Sequence, residues 1–242
     1  MTRIAIMQPY VFPYIGYFQL IAATDRFVIL DDVAYIKRGW INRNRILVNG
    51  APHFFSVPLH KASQNRKICD TQISSVAWKE DLLKTLRLTY SRSPHFASTF
   101  AFIADIVSAE YKTIADLAYQ SIEAVCRYVG VTTDFVRSTS IYQNGDLKGA
   151  ERIVDICRQE GAAVYLNLPG GVDLYSPDKF SQYGIDLRFL TLPQVKYEQF
   201  REPFVSNLSI IDILMFNSAE KTRELIEQSR FRDPKEEYGE LK

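Results

Sequence analysis

The stretch IAIMQPYVFPYIGYFQLIAATDRFVIL, residues 4–30, decides the fold. Ile4 to Met7 is an apolar run of strand length, Gly16 to Ala23 fits two helical turns, and Arg26 to Leu30 ("RFVIL") is a second apolar run. Strand, helix and strand in so short a span make a β-α-β opening, and the crossover it contains predicts parallel strands. Residues 7–18, between the first strand and the helix, hold two prolines, three tyrosines and two phenylalanines around Gly16. A plain connection needs only a few polar turn residues, whereas this one sets aromatic groups where the chain should be reaching solvent. The expectation is a pocket wall, with an aromatic plug under the sheet as the alternative.

Outward from this opening, the apolar period switches repeatedly between two and 3.6. Asn49-Gly50, between apolar flanks, marks a hairpin whose Pro52 and Pro58 make at least one strand an edge. Trp78, Leu82, Leu86 and Tyr90 share one helical face; Thr113 to Val129 carries another, closed by Gly130. The second half resumes the alternation: a helix over Gly149–Gln159, the strand "AVYLNL" broken by "PGG", a short helix opened by Ser176-Pro177 and the strand "IDLRFL". A last helical region starts at Ser209, an N-cap with Asp212 three residues on, and is renewed after Ser218. The fold expected is α/β: a Rossmann-like, mostly parallel sheet with flanking helices and a helical middle segment at about 76–130. Residues 1–230 are read as one domain and 231–242, "FRDPKEEYGELK", as a flexible tail.

The chain has 242 residues, 47% hydrophobic and 24% charged, an ordinary globular balance. Its 29 basic and 28 acidic residues leave a net charge of +1, which recommends neither nucleic acid nor an anionic membrane as a partner. Cys69, Cys126 and Cys157 are widely spaced with no Cys-x-x-Cys, against a disulfide framework or a thiolate zinc site. Cys126 and Cys157 fall inside apolar stripes and read as structural. No secretory leader pattern opens the chain and no 18-residue apolar run occurs, so it is read as cytoplasmic and not membrane-inserted.

Charge is informative only locally. Between Lys37 and Lys67 stand seven basic residues and no acidic one: Lys37, Arg38, Arg43, Arg45, Lys61, Arg66 and Lys67. Trp40, Asn42 and Asn44 are interleaved with them, and Asp31-Asp32 lies just upstream at a strand end. Guanidinium groups bind phosphate oxygens, tryptophan offers a face to a sugar or base, and asparagine fixes hydroxyls, so the pattern suits a diphosphate ligand. Ligands of open parallel sheets bind outside the carboxyl ends of strands. Three expected strands end there in conspicuous residues: Gln8 with the aromatic segment, Asp31 with Asp32, and Asn167 before Gly170, Gly171 and Asp173. Side chains alternate along an extended segment, so only one of Asp31 and Asp32 is expected to face the cleft with Lys37 and Arg38. His60, flanking the hairpin, is a further catalytic candidate, but the three histidines lack metal-pair spacing and no metal is indicated. The chain has no G-x-x-x-x-G-K-[ST], G-x-G-x-x-G or G-x-S-x-G motif.

Three blocks resemble the WbqC-like family in the same order: MQPYVFPYIGYFQLIAATDRFVILDDVAYIKRGWINRNRI, LKGAERIVDICRQEGAAVYLNLPGG and FVSNLSIIDILMFN, the last with Ser206 where the family has proline. The resemblance marks Lys148, Glu151 and Arg152 in "KGAER". It implies bacterial surface-polysaccharide (O-antigen) biosynthesis, with transfer of glycine or another acyl group to an amino sugar, here as an amide on a nucleotide-linked amino sugar. The first block also resembles the layout of nucleotidylyltransferases, with Tyr14-Ile15-Gly16-Tyr17 in the place of H-x-G-H and both histidines absent; Tyr14 and Tyr17 are expected to hydrogen-bond phosphate or sugar. On the enzyme reading, Asp31 or Asp32 accepts the amine proton. The alternatives are a non-catalytic sugar-nucleotide-binding or assembly protein and a nucleotidylyltransferase-like enzyme. No cofactor is named by the residues, and the acyl donor is left open among acyl-CoA, a carrier protein, aminoacyl-tRNA and ATP with free acid.

Overall fold

The computed structural model describes residues 1–228 and the backbone of 230–231. The opening forms as expected: β1 (Arg3–Met7), α1 (Ile15–Ala22) and β2 (Arg26–Ile29), with the strands parallel and Ile4 level with Arg26. A hairpin of β3 (Arg43–Val48) and β4 (Ala51–Ser56) follows, then α2 (Ala77–Tyr90), α3 (Phe96–Ser108) and α4 (Ile114–Val129). The second half is β5 (Asp134–Val136), α5 (Gly149–Gln159), β6 (Val164–Asn167), α6 (Pro177–Ser181), β7 (Asp186–Thr191), α7 (Ile210–Phe216), α8 (Ala219–Ile226) and β8 (Arg230–Phe231). The main sheet runs β5-β2-β1-β6-β7-β8, parallel except for β8.

The chain lays β2 on one side of β1 and later β6 and β7 on the other, so the strand order reverses at β1. Such a reversal opens a crevice at the carboxyl ends, where the preceding and following loops part. Both faces of the sheet are covered, and alternation assigns the residues. Ile4, Ile6 and Val28 pack with α5 and α6 residues such as Ile153, Cys157 and Phe180, whereas Ala5, Phe27 and Ile29 join the larger core with α1, α4 and α7.

The helical middle holds three helices, not two. In α3, Ile103, Ile106 and Val107 are buried while Phe96, Phe100 and Phe102 pack at the rim, which blurs the apolar stripe on which a sequence reading depends. The hairpin is a separate two-stranded sheet whose turn residues Asn49 and Gly50 take φ of 54° and 81°, the left-handed pair a two-residue turn requires. Ser209 caps α7 as expected, accepting from Ile211 N–H. Asp212 does not complete that cap: it is fully buried and accepts from Tyr90 Oη (2.6 Å), Tyr197 Oη (2.6 Å) and Gln199 Nε2 (3.0 Å). Burial raises its pKa against those hydrogen bonds. Phe231, read from the sequence as the first residue of the tail, pairs with Leu190; the rest of that segment, 232–242, lies outside the described residues. No described helix is long and apolar enough to cross a membrane.

Tyr90 Oη donates to Asp212 and accepts Leu47 N–H at 2.9 Å, joining α2, α7 and β3. Tyr90→Phe leaves a buried N–H without its acceptor and a buried carboxylate short of a donor, so it is expected to cost about 1–3 kcal/mol in urea unfolding. An unchanged midpoint and slope would remove this network from the supports of the fold.

Candidate functional site

The aromatic segment after β1 divides by residue. Val11, Phe12, Tyr17 and Phe18 are fully buried, and Tyr17 gives its hydroxyl to Gln8 O at 2.9 Å; Tyr17 is a core residue and cannot meet a ligand as expected of it. Gln8, expected to bind substrate, is thus tied through its carbonyl to a core tyrosine and lines neither cavity beside Tyr14. Phe12 has φ of 42°; its N–H donates to Ser121 Oγ (3.0 Å), and its carbonyl accepts from Asn44 Nδ2 (2.8 Å) and Ser209 Oγ (2.7 Å). With these residues pinned, Tyr10 and Tyr14 are left half-buried at the surface. Gly16 permits the pose of Tyr14, since a Cβ there would stand 2.5 Å from the Tyr14 ring.

Tyr10, Tyr14, Trp40, Arg45 and Asn207 line a cavity of about 380 Å³. A neighbouring cavity of about 250 Å³ shares Tyr14, Leu192 and Asn207 and adds Ile15 and Gly16 at the start of α1. Tyr14 caps α1 without a side-chain hydrogen bond, so the first-turn N–H groups have no side-chain partner there. Tyr14 follows β1 and Leu192 follows β7; the cleft therefore lies along the carboxyl edge of the sheet.

One wall is built by strand alternation. Arg43 and Arg45 are two apart on β3 and point the same way, and Arg45 is paired with Phe54 across the hairpin. The Arg43 guanidinium lies 4.7 Å from the Phe54 ring centre, Phe54 stacks on Trp40 at 6.0 Å and 28°, and the Arg45 guanidinium lies 5.4 Å from the Trp40 ring. Trp40 and Phe54 stay 38% and 45% exposed, so each keeps surface for a ligand. Arg43 spends its N–H groups on the carbonyls of Gly39 and Arg38 and supports the loop. Arg45 gives one Nη2 bond to Asn207 O (3.0 Å), while its buried Nε–H has no partner among the described residues. Asn42 is absorbed by Tyr35 Oη and Val57 O, and so is structural.

The two aspartates form a second cluster. Both are buried at the end of β2, and neither pairs with Lys37 or Arg38, which are exposed. Asp32 receives one Arg152 nitrogen on both carboxylate oxygens (2.6 and 2.7 Å), also bonds Thr139 Oγ1, and has Lys67 at 4.0 Å. Arg152 is itself buried and held by Asn144 Oδ1 at 3.0 Å; although it follows the exposed Glu151 and precedes the buried Ile153 on α5, its side chain turns inward. Burial pushes the Asp32 carboxyl up, but the Arg152 and Thr139 hydrogen bonds and the charges of Arg152 and Lys67 outweigh it and hold it below the ordinary value. Asp31 accepts from Ser138 Oγ (2.7 Å) and Thr139 N–H (3.1 Å). Its burial is not offset by a cation, and the nearby Asp32 charge adds to it, so its pKa is raised. The pair is thus non-equivalent, with the basic surroundings belonging to Asp32. Asp31 borders a further cavity with Tyr119, Arg137 and Ser138, distinct from the Trp40 cavity.

The remaining candidates stand apart. Lys148 and Glu151 are exposed at the start of α5, as are Gly170 and Asp173 in the turn after β6. Gly171 is buried, and a Cβ there would meet the Asn167 side chain at 2.5 Å; packing, not an anion, explains that glycine. His60 is exposed, and only its backbone bonds, to Gln72 O. Asn207, Ser138 and Thr139 were not readable as site residues, because their partners lie 162, 107 and 108 positions away. Tyr10 and Lys67 stood within the aromatic segment and the basic run.

Arg152→Met strands the Asp32 charge in a buried site, so it is expected to destabilise by about 3–5 kcal/mol at neutral pH. The Asp32 pKa is depressed in the fold, so this contribution is complete above the unfolded value of about 3.9 and fades as pH falls below it. Denaturant unfolding along a pH series should therefore show the gap between wild type and variant narrowing toward acid; a constant gap would mean the loss is packing alone.

The model of the WbqC-like protein family matches residues 8–224 of the chain, a span that takes in the aromatic segment, both aspartates, Arg152 and Ser209. An uncharacterized protein, Rv1507c of Mycobacterium tuberculosis (strain ATCC 25618 / H37Rv), is 32% identical over 223 residues, covering 91% of this chain and 96% of the relative. No solved structure matches the chain. The resemblance carried by the three sequence blocks is therefore borne out over most of the length, and the chain belongs to the WbqC-like protein family.

Proposed function

We propose that this chain is a cytoplasmic transferase of bacterial surface-polysaccharide (O-antigen) biosynthesis that forms an amide on a nucleotide-linked amino sugar: the amine nitrogen bonds to the acyl carbon of glycine or another acyl group as the activated acyl bond of the donor breaks and the donor's thiol, hydroxyl or phosphate group leaves. The observation that carries the reading is Arg45: a half-buried guanidinium set against Trp40, with a buried Nε–H that has no partner among the described residues, in the wall of an aromatic cavity at the carboxyl edge of a parallel sheet. A guanidinium so placed suits a diphosphate, and Trp40, Tyr10 and Tyr14 suit the faces of a sugar or base. On this reading the proton of the attacking amine goes to Asp31, which carries no ion pair among the described residues, in the separate cavity it borders with Tyr119 and Ser138, so the reading requires the amino sugar to reach from the Trp40 cleft to that cavity; Asp32, held by Arg152, positions the segment.

One observation favours a second reading, binding of the sugar nucleotide without chemistry: among the described residues, those lining the Trp40 cavity include no carboxylate and no imidazole. Mass spectrometry separates the two. Incubation with a nucleotide-linked amino sugar and an acyl donor gives the added acyl mass only for the enzyme. In both readings Arg45→Ala should weaken the sugar nucleotide by about 1.5–3 kcal/mol in calorimetry with little change in melting temperature; equal affinity would refute the cleft.

For the enzyme, the base must be ionised to act, so activity falls as pH drops through its raised pKa. The acid limb of kcat/KM is then expected above the ordinary aspartate value of about 3.9, and it should vanish in an Asp31→Asn variant whose rate drops roughly 10²-fold or more. An Asp31→Asn variant of full rate would leave Asp31 without a catalytic role.

A further inference from the structure

At the far end of β3 from Arg45, the hairpin turn, the end of α2 and the segment around Phe200 enclose a cavity of about 510 Å³. Its charged and aromatic lining consists of His53, Arg92, Phe200 and Arg201, and no carboxylate lines it among the described residues. Neither Arg92 nor Arg201 forms an ion pair or side-chain hydrogen bond among the described residues, so two guanidinium side chains line one concave surface with no counter-charge among those residues. The C-terminal end of α2 offers only about half an elementary charge of the opposite sign, too little to neutralise them.

Phe200 supplies a platform. Its ring is backed by Phe216 at 4.8 Å and Tyr90 at 6.4 Å, and it remains 37% exposed with the Arg92 guanidinium 5.9 Å from its centre. Thr85, Leu88 and Thr89, on one face of α2, complete a wall that is apolar in part, and Leu88 is left 76% exposed at the opening. A site with unneutralised guanidinium groups, an anchored aromatic face and room on the scale of a small ligand takes an anion that carries a flat body.

We infer that this cavity is a second ligand site that binds a nucleoside phosphate, with the phosphates on Arg92 and Arg201 and the base on Phe200. It is separate from the Trp40 cleft: the two cavities have no lining residue in common. The inference stands whether or not the cleft takes a sugar nucleotide.

Calorimetry with ADP at low salt tests it, with adenosine and inorganic phosphate as comparison probes. Wild type is expected to bind ADP more tightly than either probe. R92A/R201A should lose roughly tenfold or more in ADP affinity, the range expected when charged hydrogen bonds are removed. Phe200→Leu should weaken ADP while leaving phosphate unchanged, and the loss caused by R92A/R201A should appear equally in an Arg45→Ala background. Because Arg92 and Arg201 are exposed, melting curves near wild type are expected for the double variant, and they confirm that it is folded. The inference is overturned if wild type does not bind ADP, if R92A/R201A binds it normally, or if Arg45→Ala rather than R92A/R201A abolishes it. That last result assigns ADP to the Trp40 cleft and supports the cleft independently.

Discussion

The backbone of Phe12 is the joint on which the molecule depends. Its N–H is held by Ser121 of α4, and its carbonyl by Asn44 of β3 and Ser209 at the start of α7, so four parts of the chain meet at one left-handed residue. A non-glycine residue in that conformation is held only when its surroundings over-determine it, and here three buried hydrogen bonds do so. Neighbouring bonds continue the seam: Val11 N–H to Ile41 O, Ser209 N–H to Arg45 O and Ile210 N–H to Pro13 O. The hairpin, which belongs to no larger sheet, is thereby fixed against the main sheet. The cleft between Tyr14, Trp40 and Arg45 exists because this seam holds its two walls at a set distance.

The two aspartates show how adjacent, identical side chains acquire different chemistry. Asp32 faces Arg152 across from α5 and becomes a fixed anion; Asp31 faces hydroxyl and amide donors and carries its burial without a cation. Thr139 touches both, which ties the end of β5 to the end of β2. A buried ion pair of this kind contributes little net stability over a well-packed apolar pair, yet removing either partner is costly. Its effect is to fix where the loops after β2 and β5 lie relative to α5.

Asp212 plays the corresponding part on the other face. A buried carboxylate accepting from two tyrosines and a glutamine draws the segment carrying Tyr197 and Gln199 onto α7, and that segment lines the cleft on one side and supplies Phe200 to the second cavity on the other. Both concave surfaces therefore lean on one buried charge. Its raised pKa reflects the desolvation accepted for that role.

Local period and punctuation in the sequence determined most of the elements: the β-α-β opening, the Asn49-Gly50 turn, the helix over Gly149–Gln159 and the cap at Ser209 all follow from interactions within a few residues. The sequence also determined membership of the WbqC-like family, carried by residues 8–224. Tertiary structure alone decided which aromatic residues are core and which are wall, because Tyr14 and Tyr17 are alike in type and three positions apart, and only the packing of Phe27 and Gly16 separates them. It decided the fate of Arg152, a charged side chain drawn inward by a carboxylate 120 positions away. Helical and strand periods record which face a residue occupies; they do not record a single long-range charge strong enough to draw a polar side chain into the interior. The pairing that builds the site is long-range electrostatics and shape, and neither leaves a local trace in the order of residues.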